Sequence, residues 1–69
     1  MIIKLTNAIP GAKDEAIALN TDIIVSIREG NITRDDGTVD FVTFVFCPPH
    51  GTWEVTETVD AIMEKIKTS

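Results

Sequence analysis

The only cysteine and the only histidine of this 69-residue chain lie three residues apart, in the segment FCPPHGTW at 46–53. Cys47 and His50 could act as a nucleophile and its general base, or could supply two ligands of a zinc site. Catalysis would need a third group to orient the base, and zinc would need a second Cys/His pair that the sequence does not contain. We therefore expect no enzyme, no metal site, no cofactor and no small-molecule substrate. We interpret Cys47 as a small buried residue at a strand end.

The charge of the chain also limits its partners. Eleven acidic residues against six basic residues give a net charge of −5. Proteins that bind nucleic acid draw much of their affinity from Lys and Arg side chains that neutralise phosphates, and here these residues are dispersed along the chain. We therefore expect a protein partner rather than nucleic acid. The alternative is a small regulator that contacts nucleic acid, with a dimer bringing together Lys4, Arg28 and Arg34.

The size and the cysteine content indicate a single small domain, 1–69, in a reducing compartment. A lone cysteine cannot form an intramolecular disulfide. The first residues lack the charged segment and the apolar run of a secretory signal, and no apolar stretch approaches the ~20 residues that span a bilayer. We therefore expect a cytoplasmic protein that does not enter a membrane and that is near the lower size limit for folding alone.

Alternating apolar residues predict four β-strands. In the first strand Ile3 and Leu5 share one face. The segment 16–30 is either one bent strand or two short ones, because Asn20-Thr21-Asp22 interrupts its apolar pattern with residues that bond to the local backbone. The four predicted strands are 2–7, 16–30, 39–47 and 52–56.

Two hairpin turns are predicted to join the last three of these strands. Asp36-Gly37 is a strong signal for the first hairpin. In the second, Pro49 suits the second position of a type I turn and Gly51 the fourth. The Cys-Pro-Pro-His segment is thus interpreted as hairpin architecture rather than as a reactive site.

The last segment changes to the helical period. Val59, Ile62, Met63 and Ile66 form one apolar stripe, and Thr58 is the predicted N-cap. We predict that Met63 fills the core. The predicted fold is α+β: a small, mostly antiparallel four-stranded sheet followed by one C-terminal amphipathic helix, in the order β-β-β-β-α. A curled half-barrel is the alternative form of the sheet.

The predicted strand at 39–47 carries apolar side chains on both faces. One short helix can cover only one face of a sheet, and large exposed apolar patches are rare on monomers. We therefore predict that the second face binds either a second copy of the chain or an unidentified protein partner. The predicted interaction surface consists of Ile24, Val42, Phe44, Phe46 and Trp53.

Three stretches resemble the small FlbD-type (SwrD-type) flagellar proteins: MIIKLT at the start, LNTDIIVSI at 19–27 and TWEVTETVDAIMEKI at 52–66. The resemblance covers residues 1–7 and 19–66 apart from the turn at 47–51. It implies an architecture in which a strand leads through a Ser/Thr cap into a short acidic helix, and it implies no catalytic residues. A small phage or mobile-element protein of the same architecture is an equally fair source.

These observations together predict a small non-enzymatic protein-interaction or assembly module of bacterial or phage origin. We expect it to form a homo-oligomer through the apolar sheet face. The nucleic-acid regulator is kept as the alternative.

Overall fold

The computed structural model describes residues 1–68, in which five strands, one short 3-10 turn and one helix follow one another. Ser69, the last residue of the predicted domain, lies outside the described residues. The elements are β1 (Ile2–Thr6), β2 (Ala16–Asn20), the 3-10 turn (Thr21–Ile23), β3 (Ser26–Thr33), β4 (Val39–Cys47), β5 (Gly51–Val55) and α1 (Val59–Thr68).

The predicted α+β class fits this arrangement, but the predicted single four-stranded sheet is wrong. β1 and β2 form a two-stranded antiparallel sheet, and β3, β4 and β5 form a three-stranded antiparallel sheet in that order. The difference arises at Asn20, whose side-chain oxygen accepts a hydrogen bond of 3.0 Å from the backbone N–H of Asp22. This bond caps the 3-10 turn and divides the segment 16–30 into two strands with different partners.

The two sheets are joined at one corner by the end of β1. Asn7 forms an isolated antiparallel bridge with Val55, and the N–H of Thr56 donates to the carbonyl of Thr6 at 3.0 Å. The Glu57 carboxylate accepts from both the N–H and the hydroxyl of Thr6, each at 2.9 Å. The backbone groups at the corner where the ends of β1 and β5 meet are therefore hydrogen-bonded.

The core lies between the two sheets and α1. Ile3 and Leu5 are buried on one face of β1, as the alternation predicted. The fully enclosed members of the core come from both sheets and the helix. The buried core residues are Ile3, Leu5, Leu19, Val45, Cys47, Val55 and Ile62.

Helix α1 begins after Thr58, whose hydroxyl accepts a hydrogen bond of 3.1 Å from the N–H of Ala61, so the predicted N-cap is confirmed. Ile62 is completely buried, whereas Met63 is 52% exposed. The prediction that Met63 fills the core is wrong, because α1 rests on the core through Ile62 and Ile66 and turns Met63 outward. No helix within residues 1–68 is long and apolar enough to cross a bilayer.

The hairpin between β3 and β4 forms at the predicted Asp36-Gly37. The N–H of Gly37 donates to the carbonyl of Arg34 at 2.9 Å, and the N–H of Arg34 donates to the carbonyl of Thr38 at 2.7 Å. Gly37 has a φ of 87°, the left-handed conformation that glycine tolerates best. Asp36 Oδ1 accepts from both the N–H and the hydroxyl of Thr38, and these bonds, the hydroxyl first, lower the pKa of Asp36.

The hairpin between β4 and β5 also forms, but the predicted type I turn is wrong. The turn runs one residue earlier, from Cys47 to His50, and the N–H of His50 donates to the carbonyl of Cys47 at 2.9 Å. The Pro48–Pro49 peptide bond is cis, which places Pro49 at the third position of the turn. Gly51 follows with a φ of 98° and begins β5.

Candidate interaction surface

The three-stranded sheet has two faces of different character. Thr43, Val45 and Cys47 are buried on the inner face, which contacts the core. The outer face carries the alternate residues of β4, among them Val42 and Phe44.

The five residues of the predicted interaction surface do not lie together. Val42, Phe44 and Phe46 share the outer face, as predicted. Trp53 is paired with Val45 in the register of β4 and β5, so it shares the inner face and packs against the core. Ile24 also packs against the core.

Of the three residues on the outer face, Val42 is 5% exposed and Phe46 is 40% exposed. Phe44 is half-buried. Its ring lies under Arg28, whose Cζ is 5.3 Å from the ring centroid, within the range of a cation–π contact. The edge of the same ring lies over Gly30, where a Cβ atom would be 2.8 Å from Phe44 Cε2.

The outer face carries a group of four hydrogen-bonded residues that we call the Arg34 clasp: Arg34, Asp40, Glu54 and Ala8. Arg34 Nε donates to Asp40 Oδ2 at 2.8 Å, and Arg34 Nη2 donates to Glu54 Oε1 at 3.1 Å and to the carbonyl of Ala8 at 3.4 Å. The Arg34 side chain is only 16% exposed. Its hydrogen bond to Asp40 is the main cause of the raised pKa of the guanidinium, which therefore stays charged.

The two carboxylates of the Arg34 clasp flank Val42 on the outer face. Asp40 lies on one side of Val42 along β4, and Glu54 is paired with Phe44 on the other side. The loop after β1 is fastened to β5 at the same place, because Ala8 donates its N–H to the carbonyl of Glu54 at 2.9 Å. Val42 is buried on this face, whereas Phe46 is 40% exposed.

The most exposed of the large apolar side chains, Phe41, lies elsewhere, on the part of β3 and β4 that extends beyond the core. We call residues 29–42 the hairpin arm. Phe41 is 81% exposed and Val39 is 53% exposed, and the two share one side of the arm. They have the same alternation as Val45, but the helix and the first sheet do not reach them.

Sequence reasoning missed Phe41 because its alternation placed it on the face that the helix covers. The available signal was length. β4 has nine residues and β5 pairs only with residues 43–47, so the first residues of this long strand extend past the short helix. We call Val39 and Phe41 the arm patch.

A groove of about 330 Å³ adjoins the arm patch, at the point where β5 ends. It is lined by Glu29, Gly30, Asn31, Phe41, Val42, Thr43, Thr56 and Thr58. A second groove, of about 420 Å³, lies between α1 and the start of β3. Val25, which is 66% exposed, and Met63 both line this second groove.

The residues considered for chemistry are not brought together. Cys47 is fully buried, and burial raises the pKa of its thiol, so the reactive thiolate is disfavoured. His50 is exposed on the turn. Within residues 1–68 no group of three or more His, Cys, Asp or Glu side chains is placed to hold a metal ion.

The cations named for the nucleic-acid alternative are also dispersed. Arg34 is bonded to two carboxylates and Arg28 lies over Phe44, while Lys4 is exposed on β1 in the other sheet. Contact with nucleic acid stays a prediction.

Comparison with protein-family models, with curated proteins and with solved structures gives no match for this chain. The resemblance to the FlbD-type flagellar proteins therefore stays a prediction.

Proposed function

We propose that this protein is a small non-enzymatic protein-interaction module that binds its partner through the arm patch. The observation that supports this proposal is Phe41, an aromatic side chain that is 81% exposed on a projecting hairpin. Aromatic residues are enriched in the cores of protein interfaces.

The proposal agrees with the rest of the chain. Cys47, the only thiol of the chain, is enclosed in the core. The guanidinium of Arg34, near the tip of the arm, forms ion pairs with Asp40 and Glu54. The groove beside Phe41 is lined by three threonines, one asparagine, Glu29, Gly30, Phe41 and Val42. Such a mixed polar and apolar surface suits binding.

Self-association through the predicted surface stays a prediction, and sedimentation equilibrium at micromolar concentration tests it. A species of 7.6 kDa would exclude a stable homo-oligomer, whereas a dimer that persists in the variant Phe41→Ser would place the contact away from the arm patch.

Site-specific photo-crosslinking tests the proposed function. A benzophenone amino acid is placed at position 41 in one variant and at position 25 in a matched control, because Val25 is also apolar and 66% exposed but lies in the other groove. Both variants are produced in the source cell and irradiated. We expect discrete protein adducts from position 41 and not from position 25. Equal adducts from the two positions, or none from position 41, would show that the arm patch is not the interaction surface.

A further inference from the structure

The hairpin arm has a strand edge without a partner. β5 pairs with residues 43–47 of β4, whereas residues 39–42 pair only with β3. In an antiparallel ladder, alternate residues direct their N–H and C=O groups to the second edge. No loop or strand among residues 1–68 forms a backbone hydrogen bond to that edge of 39–42. The position that β5 would occupy if it were longer is therefore vacant.

The groove beside Phe41 adjoins this vacant position and also extends over Glu29, Gly30 and Asn31 of β3. Its walls include Phe41 and Val42 from the unpaired edge, and Thr56 and Thr58 from the segment by which the chain leaves β5 for α1. An extended segment placed there would continue the line of β5. Its alternate side chains would then lie against Phe41.

The charges around the vacant position are negative. Glu29 lines the groove, and no Lys or Arg side chain does so. Asp35 and Asp36 are exposed at the tip of the arm, where they line a separate groove together with Lys13 and Arg34. Edge strands are commonly protected from pairing by lysines, yet β3, β4 and β5 contain none, and Arg34 is already bonded to two carboxylates.

We propose that the vacant edge at 39–42 accepts an extended, basic segment of a partner protein as an added β-strand. This inference rests on the proposed function and specifies its partner: main-chain hydrogen bonds to the edge supply affinity, an apolar side chain packs on Phe41, and Lys or Arg side chains face Glu29 and the acidic tip. Four residues of strand span about 13 Å at ~3.3 Å per residue, so a short segment suffices.

A second copy of this chain is a poorer occupant of the same edge. Each copy carries a net charge of −5. The like charges oppose this pairing, whereas they attract a cationic segment.

The test uses two blocked hexapeptides, one of alternating lysine and valine and one of alternating glutamate and valine. Each is titrated into the full ¹⁵N-labelled chain, and amide shifts are followed by NMR. We expect the lysine peptide to shift the amides of 39–43, 29–31 and 56–58 and to weaken as salt is raised. Phe41→Ser should reduce its affinity at least tenfold, while the control Val25→Ser should leave it unchanged. A lysine peptide N-methylated on alternate residues should not bind, because it cannot complete the ladder.

Three results would overturn the inference. The lysine peptide fails to bind, or the glutamate peptide binds equally well, or the shifts fall on the edge of β3 or on the groove beside Met63. A wild-type dimer in sedimentation equilibrium that Phe41→Ser dissociates would also overturn it, because the occupant would then be a second copy. Phe41 is exposed, so its substitution leaves the fold intact, and the amide spectrum verifies this. Adducts from position 41 without peptide binding would refute the strand inference alone.

Discussion

The contact between Phe44 and Gly30 makes a quantitative prediction about the outer face of the sheet. A Cβ atom added at Gly30 would be 2.8 Å from Phe44 Cε2 and 3.5 Å from Phe44 Cδ2. Carbon atoms attract best at about 3.5–4.0 Å, so only the outer part of the ring is too close. Leucine ends at the δ position. We therefore expect Phe44→Leu to accommodate alanine at position 30.

The expected energies follow from two opposing effects. Overpacking a filled site costs about 1–3 kcal/mol. Replacing glycine by alanine inside a strand contributes about 0.5–1 kcal/mol of stability. Gly30→Ala should therefore destabilise the wild-type chain by about 0–2.5 kcal/mol and should stabilise the Phe44→Leu variant by about 0.5–1 kcal/mol. The interaction energy of the double-mutant cycle is then about 1–3 kcal/mol.

Urea unfolding of the four proteins, followed by the fluorescence of Trp53, measures this cycle. Gly37→Ala is the matched control, because nothing lies within 4 Å of its Cβ position and its cost comes from the positive φ. The control should be additive with Phe44→Leu within about 0.5 kcal/mol. If Gly30→Ala is also additive within that range, the ring does not occupy the position described and the reasoning fails.

Three further predictions concern the helix, the thiol and the turn. Ile62→Ala should destabilise the chain by about 2–5 kcal/mol and Met63→Ala by less than about 1 kcal/mol, because only Ile62 is fully buried. Urea unfolding measures both losses of stability, and equal losses would contradict the orientation of α1. Cys47 should react with a thiol reagent at pH 8 only as fast as the chain unfolds, since its thiol is enclosed and its pKa is raised. Fast labelling of the folded protein would show that the core is open at Cys47. The lowered pKa of Asp36 means that its share of stability is present above the ordinary carboxyl pKa of about 3.9 and is lost as the pH falls through the lower folded value. Thr38→Val should raise the pKa of Asp36 in an NMR titration, and an unchanged pKa would show that the hydroxyl bond is absent.

The sequence pattern predicted a strand, a turn and a helix start correctly where neighbouring residues determine the local structure. The alternation of Ile3 and Leu5, the Asp36-Gly37 turn and the Thr58 cap are all confirmed, because each depends on interactions within a few residues. Asn20 indicates that the segment 16–30 can divide into two strands. Whether the division produces a second sheet depends on which strands pair. Pairing is decided by contacts between distant segments.

The exposure of the arm patch could not be predicted for the same reason. The sequence indicates that Val42 and Phe41 lie on opposite faces of one strand, and this is so. It does not indicate that Val42 is 5% exposed and Phe41 81% exposed. Both values depend on the long-range placement of other segments.

The corner at which β1 meets β5 has a consequence for how the chain folds. Thr6 and Glu57 are separated by 51 positions in the sequence, yet they form two hydrogen bonds. The β1–β2 hairpin and the β3–β4–β5 meander can each form from neighbouring segments, whereas this corner requires nearly the whole chain. During synthesis on a ribosome, a nascent chain that has not yet released Val55 and Ile62 has no partner for Asn7 and no helix over its core. Closure of the two sheets therefore follows the release of Val55 and Ile62, and the Phe-rich β4 is complete before the helix that covers its inner face exists.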